Sequence, residues 1–149
     1  MSVQEIDRGW KAIKVELQKA NALEVAVGIL EGSENNGQSI AEYAAANEFG
    51  TDKMPSRPFT AVSFDENKKA IEQDFRRLYA QITEGKQTTQ NALVIAGQKH
   101  AERVKKTITG RDFLPKLKPA TVKAKKGSTK TLVDTGAMVN SVKISVRSK

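Results

Sequence analysis

Two consecutive runs of helical periodicity, each closed by a glycine, constrain the fold of this chain more than any other feature. From Val62 to Thr83 the residues Phe64, Ile71, Phe75, Leu78 and Ile82 keep the spacing of one helix face, and Gly85 supplies a C-terminal stop. From Thr89 to Thr109 the residues Ala92, Ile95 or Ala96, Val104 and Ile108 face inward, and Gly110 ends the run. So short a connection folds the two helices back on each other as an αα-hairpin. Each helix is apolar on one face only, so the pair must be covered by another layer.

The rest of the chain offers strands for that layer. Leu23 to Leu30 alternates Leu23, Val25, Val27 and Ile29 with Glu24, Ala26 and Gly28, and Ser141 to Val146 alternates Val142, Ile144 and Val146 with polar residues. Ahead of the first strand, Ile6, Trp10, Ile13 and Leu17 mark an amphipathic helix from Gln4 to Lys19, with Trp10 on its buried face. Glu31 to Gln38, rich in Gly and Asn, is a loop or long turn. Ser39 then reads as an N-cap, with Glu42 completing a capping box, ahead of an Ala-rich helix that ends near Gly50. The expected fold is a single α+β domain over 1–149, a small and mostly antiparallel sheet covered on one face by the two long helices.

Charge is distributed unevenly. Residues 1–110 hold 15 Lys/Arg and 15 Asp/Glu, whereas 111–149 hold 10 and 2, which accounts for the whole net charge of +8. Within that basic third, 111–130 has two prolines and few apolar residues, so it reads as an extended, flexible arm. One-signed cations of this kind suit nucleic acid or an acidic protein surface, although no aromatics are interleaved with them. With no cysteine and one histidine, His100, the sequence offers no thiolate zinc site, no disulfide framework and no His-based metal site, so no metal and no cofactor are expected. The first ten residues carry Glu5, Asp7 and Arg8 and lack an apolar core, so neither a signal peptide nor a membrane span is expected there.

Two short motifs bear on chemistry. Leu132 to Ala137, LVDTGA, has the local pattern of an aspartic-protease Asp-Thr-Gly, in which paired carboxylates share a proton to activate water. It leaves only a short remainder of chain for the strands and flap that would bury such a dyad, so Asp134 or Thr135 reads instead as the cap of a short helical turn through Asn140. Arg57 lies between Pro55 and Pro58, and a guanidinium on so rigid a turn is preorganised for a carboxylate, either Glu48 or one across a subunit boundary.

Two segments together resemble a known family. IAEYAAANEFGTDKMPSRPF, Ile40 to Phe59, looks like an Ala-rich helix followed by Glu-aromatic-Gly-Thr and Pro-small-Arg-Pro-Phe, and TLVDTGAMVNSVKISV looks like a closing Leu-Val-Asp-Thr-Gly, helix and strand. Both resemble the virion morphogenesis proteins of tailed phages and prophages, the tail-completion or neck proteins of Mu-like and lambdoid type. The matched positions are Glu48, Phe49, Gly50, Thr51, Pro55, Arg57, Pro58 and Phe59, then Leu132, Asp134, Thr135, Gly136 and Ser141, while Ala137-Met138 stands where that pattern has Arg-Leu. The resemblance implies a non-enzymatic subunit that completes the tail or joins it to the head. It further implies a cyclic homo-oligomer such as a hexamer, neighbouring connector or tail proteins as partners, and residence in the bacterial host cytoplasm during assembly and then in the virion. Glu48, Gly50, Arg57, Pro58, Phe59, Asp134, Thr135 and Gly136 are the expected structural or interface residues. A nucleic-acid-binding accessory protein using the basic C-terminal third is the alternative, and a DTG-type aspartic protease is the remote one.

Overall fold

The computed structural model describes residues 7–30, 32, 34–35, 37–127, 129–132 and 136–149. Its frame is the expected helical hairpin, α3 (Phe59–Thr83) and α4 (Thr89–Gly110), preceded by α1 (Trp10–Ala22), β1 (Leu23–Ile29), the short pair β2 (Glu34–Asn35) and β3 (Gln38–Ser39), and α2 (Ile40–Phe49). After the hairpin come α5 (Pro119–Ala124), α6 (Ala137–Asn140) and β4 (Val142–Ser148).

The hairpin turn is built from local rules. Past α3 the chain enters the left-handed region at Gly85 (φ +70°), and the N–H groups of Gly85 and Lys86 reach back to the carbonyls of Ile82 and Gln81 at 3.0 and 2.9 Å. These two bonds satisfy the last carbonyls of α3 and turn the chain sharply. Thr88 then caps α4, its Oγ1 accepting the Asn91 N–H at 3.2 Å.

β1 and β4 form an antiparallel pair from Leu23↔Ser148 to Ile29↔Val142, so chain segments from opposite ends of the sequence close the domain. Glu24 sits directly opposite Arg147, and the two side chains pair at 2.7 Å. α4 packs against both strands and α3 packs along α4. The contact of α4 with the sheet is close because Gly97 faces it: a Cβ at that position would lie 2.7 Å from Val25 Cγ2 and 3.3 Å from Ile144 Cγ2. A glycine in mid-helix normally costs about 1 kcal/mol against alanine, and here it admits the sheet.

The larger core gathers Ile40, Ala44, Phe59, Val104, Ile108, Phe113, Leu132, Met138 and Val142, and a second one gathers Leu78, Ile82, Ala92 and Ala96. Two polar ties hold helices together. The buried Asp74 of α3 accepts Lys99 Nζ and an Arg103 Nη from α4, both at 2.6 Å. Glu16 of α1 accepts the Thr89 N–H at 2.7 Å, and the Thr89 hydroxyl donates to the Glu16 carbonyl at 2.6 Å. Lys99 and then Arg103 hold the Asp74 carboxyl below its usual range, and Lys19 and Thr89 do the same for Glu16.

Several expectations need correction. Residues 4–6 of the expected first helix lie outside the described residues, and α1 starts at Trp10, since Gly9 takes φ +93° and Asp7 Oδ1 accepts the Gly9 N–H at 3.0 Å, which turns the chain just before the helix. Trp10 therefore stands in the first turn, 65% exposed, and the first helix meets the rest of the domain through Ile13, Glu16 and Leu17 further along. Phe64 and Phe75 keep the helical spacing yet are 47% and 42% exposed, because they lie at the border of α3 that the two-stranded sheet does not reach. The basic segment 111–130 is not extended throughout: Phe113 is buried in the main core, and α5 interrupts the run. No helix among the described residues is long and apolar enough to cross a membrane.

Candidate functional site

The turn between α2 and α3 carries most of the expected site residues, and its geometry is tightly specified. Arg57 N–H donates to the Asn47 carbonyl at 2.6 Å, the Ser56 hydroxyl donates to the Glu48 carbonyl at 2.7 Å, and Thr51 and Met54 exchange backbone bonds at 2.8 and 3.1 Å. Gly50 takes φ +77°, and a Cβ there would stand 2.8 Å from Ser56 N, so the turn closes only around a residue without a side chain. Asn47, 1% exposed, donates its side-chain amide to the Tyr43 carbonyl at 2.9 Å.

Glu48 has a role that the spacing of the motif did not reveal. Its two carboxylate oxygens accept the N–H groups of Thr60 and Ala61 at 2.9 and 3.0 Å, which are the second and third residues of α3. The residue at the N-cap of α3 is Pro58, whose side chain has no acceptor. Glu48 reaches in from the preceding helix to satisfy the orphan donors and to place a negative charge at the positive end of the helix. The expected Glu48–Arg57 pair is thereby corrected, since the carboxylate is spent on the helix terminus.

Arg57 is 6% exposed, and among the described residues its guanidinium makes one hydrogen bond, a long one of 3.5 Å from Nη2 to the Pro115 carbonyl. Its Nε is buried with no partner, and no carboxylate lies within ion-pair distance among the described residues. The guanidinium thus ties the turn to the start of the basic segment. Pro58 is half-buried, and Phe59, 3% exposed, anchors the far side of the turn in the main core. Phe49, by contrast, is 81% exposed at the end of α2.

The second motif meets the first. Leu132 and Met138 are buried in the core that holds Ile40, Ala44 and Phe59, and Ser39, Ile40, Tyr43, Leu132, Gly136 and Met138 share the walls of a cavity of about 160 Å³. Gly136, at φ +76°, immediately precedes α6, and Asn140 N–H bonds its carbonyl at 3.0 Å. Asp134 and Thr135, expected as caps, lie outside the described residues.

His100 lies half-buried in α4 with the Phe64 ring edge-on at 6.1 Å, and burial, then the Arg103 charge, pushes its pKa down. No group of three or more His, Cys, Asp or Glu that could hold a metal ion occurs among the described residues. Phe49, Asp74 and Gly97 are the residues whose roles the periodicity missed. The one sequence signal for Gly97 is a glycine standing in the middle of a strong helical run. No protein-family model matches the chain, and neither the curated proteins nor the solved structures include a match to it.

Proposed function

We propose that this chain is a non-enzymatic structural subunit of a tailed phage or prophage, acting where the tail is completed or joined to the head. The observation that carries the reading is the meeting of its two motif segments: Ile40–Phe59 and the stretch from Thr131 to Val146 pack into one core, although about seventy residues separate them in sequence. Segments that resemble one family, and that share one core and one cavity wall, are parts of a common device. That turn has the chemistry of an assembly joint, with a rigid backbone, an exposed aromatic at Phe49 and a buried guanidinium at Arg57.

In this reading the subunit acts as a cyclic homo-oligomer, assembles in the bacterial cytoplasm and ends in the virion beside connector or tail proteins. The basic C-terminal third faces the DNA path or an acidic neighbour. The deciding experiment is deletion of the gene from an inducible lysogen, with the wild-type chain supplied in trans. The expected result is tails and filled heads that fail to join, or tails of irregular length, restored to infectious particles by the wild type. Normal infectious yield from the deletion refutes the proposal. A second reading, nucleic-acid binding, is favoured by the run of lysines from Lys116 to Lys130, which holds no acid. Salt-sensitive retention of duplex DNA by the isolated chain would support it.

A further inference from the structure

α3 is left partly uncovered by the β1–β4 sheet, which has two strands among the described residues, and the border forms a cleft of about 430 Å³. Val25 and Val27 of β1 make one wall, Phe64, Ile71 and Phe75 of α3 the other, and Gly97 of α4 lies at its base. The edge of β1 on this side is also unpaired among the described residues. Lys149 N–H bonds the Ala22 carbonyl at 3.0 Å, so in this antiparallel register the backbone groups of Ala22, Glu24, Ala26 and Gly28 face β4, and those of Val25 and Val27 face away from it. One carboxylate marks the rim: Asp65 is exposed and makes no ion pair among the described residues.

The same chain carries a knob of matching character. Phe49 is the most exposed of the large hydrophobics among the described residues and is presented on the rigid turn held by Gly50 and the Thr51–Met54 bridge. Lys53, at the tip of that turn, is exposed and makes no ion pair among the described residues. An aromatic beside a free cation thus complements an apolar cleft beside a free anion, in both hydrophobicity and sign. A rigid aromatic loses little conformational entropy on docking, which is why such residues dominate interfaces.

We propose that the α2–α3 turn of one copy docks into the β1–α3 cleft of a second copy, with Phe49 entering between Val25 and Phe75 and Lys53 pairing with Asp65. The occupant is a second copy because both halves of the contact are on this chain and their charges are opposite. The proposal names the contact through which the subunits of the proposed function would associate, and it can be tested without a phage.

Sedimentation velocity of the full chain, from micromolar to submillimolar concentration, should show association. Phe49→Asp should shift the midpoint by about 10- to 100-fold toward the monomer, as expected for an aromatic anchor. Its melting temperature should be unchanged. Lys53→Glu and Asp65→Lys should each weaken association, and the two together in one chain should recover it. Mixing Phe49→Asp with Asp65→Lys should yield hetero-oligomers, since one variant keeps the cleft and the other keeps the knob. A wild type that stays monomeric throughout overturns the proposal, as does a charge swap without recovery or a Phe49→Asp variant that associates like the wild type. If the contact is confirmed while the lysogen deletion yields normal virions, the interface stands and the phage role falls.

Discussion

Replacing Glu48 with alanine separates the two roles this carboxylate could play. The structure gives it two backbone donors at the start of α3, Thr60 at 2.9 Å and Ala61 at 3.0 Å, and no contact with the Arg57 guanidinium. Losing an N-terminal cap costs about 0.5–2 kcal/mol, and removing the favourable charge adds about 0.3–1 kcal/mol, so the expected loss is about 1–3 kcal/mol. For a domain of this size each kcal/mol lowers the melting temperature by about 2–4 °C. The informative assay is urea denaturation of Glu48→Ala, Arg57→Ala and the double variant. A capping role makes the two losses additive to within about 0.5 kcal/mol, whereas a direct ion pair couples them by about 3 kcal/mol or more. Strong coupling would refute the assignment of Glu48 to the helix terminus.

Arg57→Met should leave stability unchanged or raise it, because the guanidinium is buried without an acid partner among the described residues and methionine fills similar space; a loss above about 3 kcal/mol would reveal a counter-ion. Gly97→Ala should destabilise by about 1–2 kcal/mol despite the better helix propensity of alanine, since its Cβ meets Val25 Cγ2 at 2.7 Å, and Val25→Ala in the same chain should relieve most of that loss. Acid should destabilise the protein in two stages. His100 has a depressed folded pKa, so the unfolded chain takes up its proton first and stability begins to fall as pH drops through the unfolded value of about 6.5. Asp74 and Glu16 are also depressed, so their contribution is full above an unfolded value of about 4 and is lost as pH falls through their folded values. Melting curves against pH should therefore lose the upper stage in His100→Gln and shrink the lower one in Asp74→Asn. Trp10→Ala should change stability by less than about 0.5 kcal/mol, because the ring is 65% exposed.

Periodicity and capping chemistry are local, and they made most of the frame legible. The hairpin of α3 and α4, its Gly85 turn, the two edge-forming strands and the Ser39 cap, whose Oγ accepts the Glu42 N–H at 3.3 Å, all follow from residues within a few positions of one another. What escaped depends on distant chain. Trp10 shares the spacing of Ile13 and Leu17 but falls on the first turn, before the helix meets its neighbours. Phe64 has the right phase and still faces a gap, because helical phase does not say how wide the covering sheet is. The partner of Glu48 is a helix terminus twelve residues on, and the anchor of the basic segment, Phe113, shares the main core with residues distant in the chain such as Ile40 and Leu132. In the candidate site, Gly50, Pro58 and Phe59 were legible as a rigid, anchored turn, whereas the acid–guanidinium pairing was not, since rigidity does not specify which acid lies near.

The proposed role makes the chain a built-in part of a phage particle, so its location within that particle can be measured. An epitope-tagged copy expressed in an induced lysogen should co-sediment with tails or whole virions through a density gradient. Immunogold labelling should then place it at a single position, the end of the tail or the head–tail joint. Recovery of the chain wholly in the soluble fraction, with infectious particles free of it, would refute the proposed role.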